Sequence, residues 1–490
     1  MGVVTTSISP SQTAAAACRA ARAAWPAWAA RDLAARAGVI RRTAWLLAER
    51  GTEMADLIVE ATARPAAEIW SAEIVPTLDA LRWLARSGPA ALRSRRLGSS
   101  WLQWYFRRTR HALSWEPFGV LGVVTPRNSL LFLSLPQIAA ALLAGNGVVW
   151  KPAPGGLVVA TQAGALFARA GLPQDVLQIV PGGAETARGV VEAGVDKLFF
   201  TGSSAAGQAL YRLQAEGGRP AVLELSGLHA AVVLADADLE TAARAIAWNK
   251  AANQGRNCVS VQLVLAERTV AGAFGSLVLA ATRSQEAVAI PARCEPERTA
   301  RLRGLVEDAV AKGATLLHGD GAGPTLIAGV APGMRIVEEE VHGPILALAA
   351  VASGDEAVRW INGGRQRLSA SVWSGNRSAA RRLAHRLDVG MVWINEELHP
   401  TAQPEVPLAG RGGSGFGASR GRPGLLEMVQ PKVVSETAGG RARPYYRPAG
   451  VSAVAMFRHT AGLGSARGWG GRLREADRLM RTLLRMGRER

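Results

Sequence analysis

Glu224 closes an apolar run of the chain, and Cys258 follows 34 positions later, beyond a second apolar run and a helix-patterned stretch. A thiolate is a strong nucleophile, and a nearby carboxylate can take a proton from water. The pair therefore points to covalent catalysis with a water-activating base. Asn128 follows an earlier apolar run, where its side-chain amide could donate to a developing oxyanion. Each residue also has a plainer reading. Alone, Asn128 is as good an N-cap, Cys258 a buried structural cysteine and Glu224 the exposed end of a strand. Their shared order and spacing favour the chemistry.

These residues need elements to hold them. From Pro117 the pattern alternates strand and helix: strands at GVLGVVTP, GVVWKP, VLQIVPG, KLFFTG and AVLEL, with helices expected over 130–144, 157–170, 185–193 and 205–216. Such repeats imply an α/β fold with an open, mostly parallel sheet. Ligands bind such sheets at the carboxyl ends of their strands, where Asn128, Lys151, Gly182, Gly202, Ser203 and Glu224 lie. The stretch Gly202 to Gly207 follows a strand and opens a helix. Its backbone N–H groups and the Ser203 hydroxyl suit a phosphate, although glycine after a strand is often only a turn. It is not the GxGxxG fingerprint of ordinary dinucleotide folds. Lys151 could hold phosphate or ribose hydroxyls, or simply be solvated. Glu340 could bind a ribose, or be a loop carboxylate.

A second α/β region follows, with strands at AAVVLAD and VQLVLAE around a helix expected over 240–253. Residues 13–97 read as helices broken near Pro65, Pro76 and Gly88, with Trp25, Trp28, Trp45, Trp70 and Trp83 as packing residues. Residues 99–116 alternate bulky and polar groups, as a projecting hairpin that pairs with another subunit does. Residues 407–422 form a glycine-rich loop.

Composition narrows the classes. At 48% apolar residues the chain is globular and long enough for two or three domains. The net charge of +18 comes from 57 basic and 39 acidic residues, with only five lysines among the former. Arginine-rich coding bias explains this better than nucleic-acid binding, for which no basic patch with interleaved aromatics occurs. Residues 441–490 carry twelve arginines against Glu475, Asp477 and Glu489, half of the net charge. In 471–486, Leu473, Ala476, Leu479, Met480, Leu483 and Leu484 share a helical face. That helix either packs on its own protein or lies on an anionic membrane. Three cysteines, Cys18, Cys258 and Cys294, make no disulfide framework and suit a reducing cytoplasm. No Cys/His spacing suits a metal. No charged segment followed by an apolar run opens the chain, and Leu130–Val149 is interrupted by Pro136, Gln137 and Asn146.

From about residue 15 to 435 the chain resembles the aldehyde dehydrogenase superfamily. The segments that carry the resemblance are EPFGVLGVVTPRN, AGNGVVWKP, DKLFFTGSSAAG, LELSG, NQGRNC, EEEVHGP, SASVWSGN and PLAGRGGSGFG, in family order. GVDKLFFTGS, VVLADADLE, NCVSVQLVLAE and ARPYYRP look most like bacterial diapolycopene-dialdehyde dehydrogenases. The resemblance implies a Rossmann-type cofactor domain (1–98 and 117–226), a catalytic domain (227–424), bridging elements (99–116 and 425–440) and a basic tail (441–490). It implies NAD or NADP as cofactor, an apolar aldehyde as substrate, and a homodimer or dimer of dimers. Cys258 would attack the aldehyde, Asn128 would hold the oxyanion, and Glu224 would activate water. Members that acylate coenzyme A usually lack that glutamate. Lys151, Thr125, Pro126, Gly202, Ser203 and Gly207 would hold the dinucleotide, and Glu340 the nicotinamide ribose.

Five departures stand out. Arg127 replaces a tryptophan, Pro154 an acid that favours NAD over NADP, Ser226 and Leu228 the family's Gly and Lys, and His342 a phenylalanine that packs on the nicotinamide. They keep open a second reading, a non-catalytic scaffold or binding protein with a drifted cofactor site.

Overall fold

In a computed structural model, the structure describes residues 10–98, 109–286, 296–437 and 451–488. Two units emerge: residues 1–93 with 115–430, and residues 94–114 with 431–490.

Among the described residues the first unit holds two large sheets and a two-stranded one, Gln366–Arg367 with Arg411–Gly412. One has six strands, parallel except at one edge. Its centre is Val120–Val124, flanked by Gly147–Lys151 and Lys197–Thr201, with Leu177–Ile179 beyond the former and Ala221–Glu224 beyond the latter. The central strands are buried throughout and read as unbroken apolar runs, as a sheet covered on both faces requires. The edge strand Gly415–Phe416 runs antiparallel and sets Gly415 opposite Glu224. The other sheet has seven strands, with His229–Val233 and Val261–Glu267 beside each other. It is parallel except for the antiparallel edge strand Thr315–His318.

Local differences from the sequence expectations have physical causes. The helix expected over 130–144 begins only at Leu135, because residues 130–134 turn through bonds such as Leu135 N–H to the Leu131 carbonyl. Pro136, which has no N–H to give, then sits in the first turn, where none is needed. Neither Pro76 nor Gly88 breaks a helix. A π-helical turn at Trp70–Ile74 runs into Val75–Leu92, with Pro76 in its first turn. Gly88 lies inside that helix, where a Cβ would stand 2.4 Å from Leu143. The helix expected over 240–253 ends at Ala251 and passes into a 3-10 turn, Ala252–Gly255. Trp28 packs and donates to the Leu142 carbonyl at 2.9 Å, whereas Trp45 is 61% exposed and packs on nothing substantial.

In the second unit, Arg95–Arg96 pairs antiparallel with Thr109–Pro117, which neighbours Val429–Thr437. Much of the expected projecting hairpin, 99–108, lies outside the described residues, as does Cys294. Helices Val451–Ser465 and Gly468–Arg488 pack on each other through Met456, Thr460 and Leu479, with His459 and Glu475 paired at 3.0 Å. The six-residue apolar face read from the sequence divides: Leu479 is buried in this seam, while Leu473, Met480 and Leu484 face outward. No helix among the described residues is long and apolar enough to cross a membrane.

Candidate active site

Cys258 lies where two cavities of the first unit meet. One, about 430 Å3, is lined by Thr201, Gly202, Ser203, Glu224, Glu340 and His342. The other, about 570 Å3, is lined by apolar groups including Phe132, Trp248, Val259 and Leu398. Asn128, Leu133, Cys258 and Leu408 border both. A group in either cavity can therefore reach the same sulfur.

The loop before the thiol is strained. Asn253, Gln254 and Gly255 take φ of 49°, 55° and 67° in succession. A Cβ at residue 255 would come within 2.1 Å of the Gly343 carbonyl, so only glycine fits there. Left-handed non-glycine residues cost energy and persist where the surroundings hold them. Here the holders are visible. The Asn253 amide donates to the Asn128 carbonyl at 2.6 Å and to Asn257 Oδ1 at 3.1 Å, and its backbone N–H donates to Glu68 at 2.8 Å. In turn the Asn128 amide donates to the Arg256 carbonyl at 3.0 Å. Asn128 therefore caps no helix. It bonds directly to the nucleophile loop, and its amide has a second hydrogen to offer an oxyanion.

A buried ion-pair cluster sits behind this arrangement, and sequence reading missed it. Arg64 reaches Glu73 at 2.6 Å and Glu68 at 3.0 Å, with Arg64 and Glu73 almost fully buried. Glu73 also accepts from the Ser129 hydroxyl and from the N–H groups of Leu131 and Phe132, at 2.8–3.2 Å. It projects from the π-helical turn, a feature frequent at functional sites. The cluster thus ties the Asn128 loop to the Cys258 loop. Removing one partner strands a buried charge, so Glu73→Ala is expected to cost about 3–5 kcal/mol of stability, read by urea unfolding. A loss under 1 kcal/mol would contradict this role.

Glu224 ends its strand inside the protein, 5% exposed. Its Oε2 accepts from Thr201 Oγ1 at 3.3 Å, while its buried Oε1 has no hydrogen-bond partner among the described residues. Burial pushes the carboxyl up from the usual range, against the pull of Ser419, Arg420 and Thr201. An elevated carboxyl is well suited to accept a proton from water. Burial pushes the Cys258 thiol up to about 12, helped by Glu224 and Glu340 and opposed by Arg420.

The remaining sequence-predicted residues divide. Thr125 accepts from Trp150 Nε1 at 2.9 Å, deep in the sheet, and acts there as a strand anchor. Pro126 lines the smaller cavity with Gly202, Ser203 and Glu340. Lys151 is 5% exposed at its strand end, and burial alone lowers its pKa. It is not the solvated lysine of the plainer reading. Ser203 caps the helix Ser204–Glu216 by accepting from Ala206 N–H. Gly207 lets that helix approach the sheet, since a Cβ would stand 2.3 Å from Leu225. Of the departures, His342 lines the cavity, and burial with Arg298, Arg256, Lys250 and Arg301 around it brings it down to about 4, so it is neutral. Burial raises the Glu340 carboxyl, with Ser226 beside it working the other way.

The geometry is that of a thiol between two cavities, and likeness to known proteins gives the chain a family. The Aldehyde dehydrogenase family profile matches residues 3–434. The chain belongs to the aldehyde dehydrogenase family. It is 32% identical over 369 residues to a 4,4'-diapolycopene aldehyde oxidase of Methylomonas sp, covering 73% of this chain and 69% of that one. It is also 32% identical over 441 residues to the benzaldehyde dehydrogenase [NAD(+)] of Pseudomonas putida, covering 86% and 88%. Among solved structures, an NADP-dependent glyceraldehyde-3-phosphate dehydrogenase from Bacillus halodurans C-125, complexed with NADP, superposes with a TM-score of 0.82 at 28% identity, covering 87% and 91%. A Mycobacterium tuberculosis aldehyde dehydrogenase complexed with NAD+ gives 0.78 at 29%, covering 87% and 90%. The smaller cavity fits such a cofactor: a helix N-terminus with Ser203 suits phosphate, and Glu340 suits a ribose.

Proposed function

We propose that this aldehyde dehydrogenase oxidises an apolar aldehyde to its carboxylic acid through a thioester on Cys258, with NAD or NADP. The observation that carries this is the position of Cys258 between the polar cavity and the larger, mainly apolar one, with Asn128 beside it and Glu224 on the polar side. The aldehyde occupies the apolar cavity, whose Phe132, Trp248 and Leu398 favour a hydrocarbon body.

The Cys258 thiol gives its proton to water, and the resulting thiolate adds to the carbonyl carbon, whose oxygen becomes an oxyanion. The Asn128 amide and the Cys258 N–H donate to that oxyanion. Bound NAD or NADP, held by Lys151, Ser203 and Glu340, supplies the hydride acceptor. Cys258 is left carrying an acyl group as a thioester. Glu224 then takes a proton from water as the water oxygen bonds to the acyl carbon. Cys258 leaves as thiolate, and the acid departs. Pro154, where an acid would favour NAD, leaves room for either cofactor. The test is reduced-nicotinamide formation with both cofactors across aldehydes of rising chain length. Turnover that improves with chain length is expected. No turnover with any aldehyde, together with no cofactor binding, would instead favour the scaffold reading.

The reading extends to assembly and location. Val429–Thr437 is an edge strand that exposes Val433 and Val434, which suits pairing with a second copy. The helix Gly468–Arg488 turns Trp469, Leu473, Met480 and Leu484 outward, between Arg472, Arg474, Arg478, Arg481 and Arg485. An apolar stripe bordered by arginines suits the anionic inner face of a membrane in an otherwise cytoplasmic enzyme. The protein is expected to sediment with phosphatidylglycerol vesicles at low salt and to stay in solution with phosphatidylcholine ones. Remaining in solution with both would contradict membrane docking.

A further inference from the structure

Arg420 has no part in the steps above, yet its backbone and side chain are both unusual. Its φ and ψ are 64° and 167°, a conformation that glycine adopts freely and side-chain-bearing residues adopt under strain. The surroundings impose it. Ser419 exchanges backbone hydrogen bonds with Leu408, Gly421 N–H donates to the Pro404 carbonyl, and the Gly424 N–H closes the first turn on the Arg420 carbonyl. A chain that needed only the turn would be served by glycine. Arginine there turns a guanidinium inward, where it lines the apolar cavity with Phe132, Thr401, Leu408 and Cys258.

The guanidinium is fixed once it arrives. Its carbon lies 4.7 Å from the centre of the Phe132 ring, and Nη1 donates to the Thr401 carbonyl. Its buried Nε has no partner among the described residues. Neither of its contacts neutralises the charge. A buried cation without a bonded carboxylate among the described residues acts on whatever anions form nearby.

The groups that act on Cys258 come from three elements. Glu224 ends its strand, Glu340 follows the helix Arg335–Glu338, and both oppose a negative sulfur. Arg420, at the start of the helix Gly421–Leu426, is the cation among the described residues that works against them, and it acts on Glu224 as well. Other titratable groups lining the cavity are His399, Arg64 and Glu68, with Arg64 shared between Glu68 and Glu73.

We propose that Arg420 is the positioning cation of this site: fixed over Phe132 and by Thr401, it favours the anionic sulfur of Cys258 and the anionic carboxylate of Glu224, which would otherwise repel each other. This deepens the proposed thiolate mechanism and rests on it. It gives a physical reason why two groups that must both be negative in one cycle can share a buried site. The guanidinium forms no bond to the substrate. It compensates charge, so lysine in its place should restore part of the effect and an uncharged side chain none.

The test reads the sulfur directly, with neither aldehyde nor nicotinamide present. Alkylation of Cys258 by iodoacetamide is followed by intact mass across pH, in the wild type, R420M and R420K, with C258A as the blank. Circular dichroism checks the fold of each. In R420M the midpoint of the pH profile is expected to rise by about one unit or more, and alkylation on the lower limb to slow roughly tenfold. R420K is expected to fall between R420M and the wild type. If R420M does not fold, a R420K profile displaced upward from the wild type supports the role and an unchanged one overturns it. A folded R420M with the wild-type midpoint overturns the proposal, as does a shift in R420M that R420K does not reduce. Failure of aldehyde oxidation in a wild-type protein whose alkylation still depends on Arg420 would sink the enzyme reading and leave the charge relation standing.

Discussion

Replacing Glu224 with glutamine is expected to leave one turnover and remove the rest. Mixed with aldehyde and cofactor, E224Q should release up to one equivalent of reduced nicotinamide per active site and then stall. The reason is the division of labour at Cys258. Addition of sulfur, support of the oxyanion and loss of hydride call on Cys258 and Asn128. Of the steps at the carbonyl carbon, the attack of water is the one that calls on a base, and Glu224 is a buried carboxylate whose Oε1 has no hydrogen-bond partner among the described residues. A general base contributes about 10²–10⁴-fold, so the steady-state rate should fall by that factor while the first turnover changes far less. Glutamine keeps the size of the side chain and can accept from Thr201, so the fold should survive. A steady-state rate within threefold of wild type would assign the base elsewhere. The pH profile carries a sign as well. Both Glu224 and Cys258 lie above their ordinary values, and both act as anions. Activity should therefore climb with pH on the acid side, and in E224Q the lower-lying of the two limbs should vanish.

The second large effect belongs to Cys258→Ala. Without the sulfur there is no covalent intermediate, and the rate should fall by roughly 10⁴-fold or more, leaving no burst. Cofactor binding should persist, because the polar cavity depends on Ser203, Glu340 and their neighbours rather than on the thiol. Nucleotide affinity measured by calorimetry separates these two outcomes. Turnover equal to wild type in C258A would remove the thiolate from the mechanism.

How much of this was legible from the residues differs by kind. Glu224, Asn128 and Gly202 through Gly207 lie at strand ends, and apolar periodicity locates strand ends well. Cys258 came from its distance to Glu224 and from the loop that precedes it. Asn128 was also open to a helix-capping role, and a hydrogen bond to the Arg256 carbonyl decides otherwise. Pro76 and Gly88 were misread as breaks, because local propensity cannot register a first-turn proline or a glycine that makes room for Leu143. Thr125 reads as a cofactor residue, and the contact of its hydroxyl with Trp150 had no signal in the sequence.

Other residues had no signal that a single sequence could give. Glu73 sits in a stretch that reads as an ordinary amphipathic helix, and its partners Ser129, Leu131 and Phe132 are more than 50 positions away. Arg420 falls among glycines in a loop of an arginine-rich protein, where one more arginine attracts no attention. Its meaning depends on Phe132 and Thr401 meeting it in space. A hint was present in SRGR, since a turn at that place would be expected to use glycine. The outward stripe of the last helix was half legible: its period was clear, but Leu479 faces the neighbouring helix and Leu473, Met480 and Leu484 do not.

The most direct measurement is the intact mass of E224Q, quenched in acid after mixing with an aldehyde and NAD or NADP. An added mass equal to the acyl group less one hydrogen, located on the peptide that contains Cys258 and absent from C258A, is expected. Stoichiometric release of reduced nicotinamide by E224Q with no adduct on Cys258 would contradict the thioester.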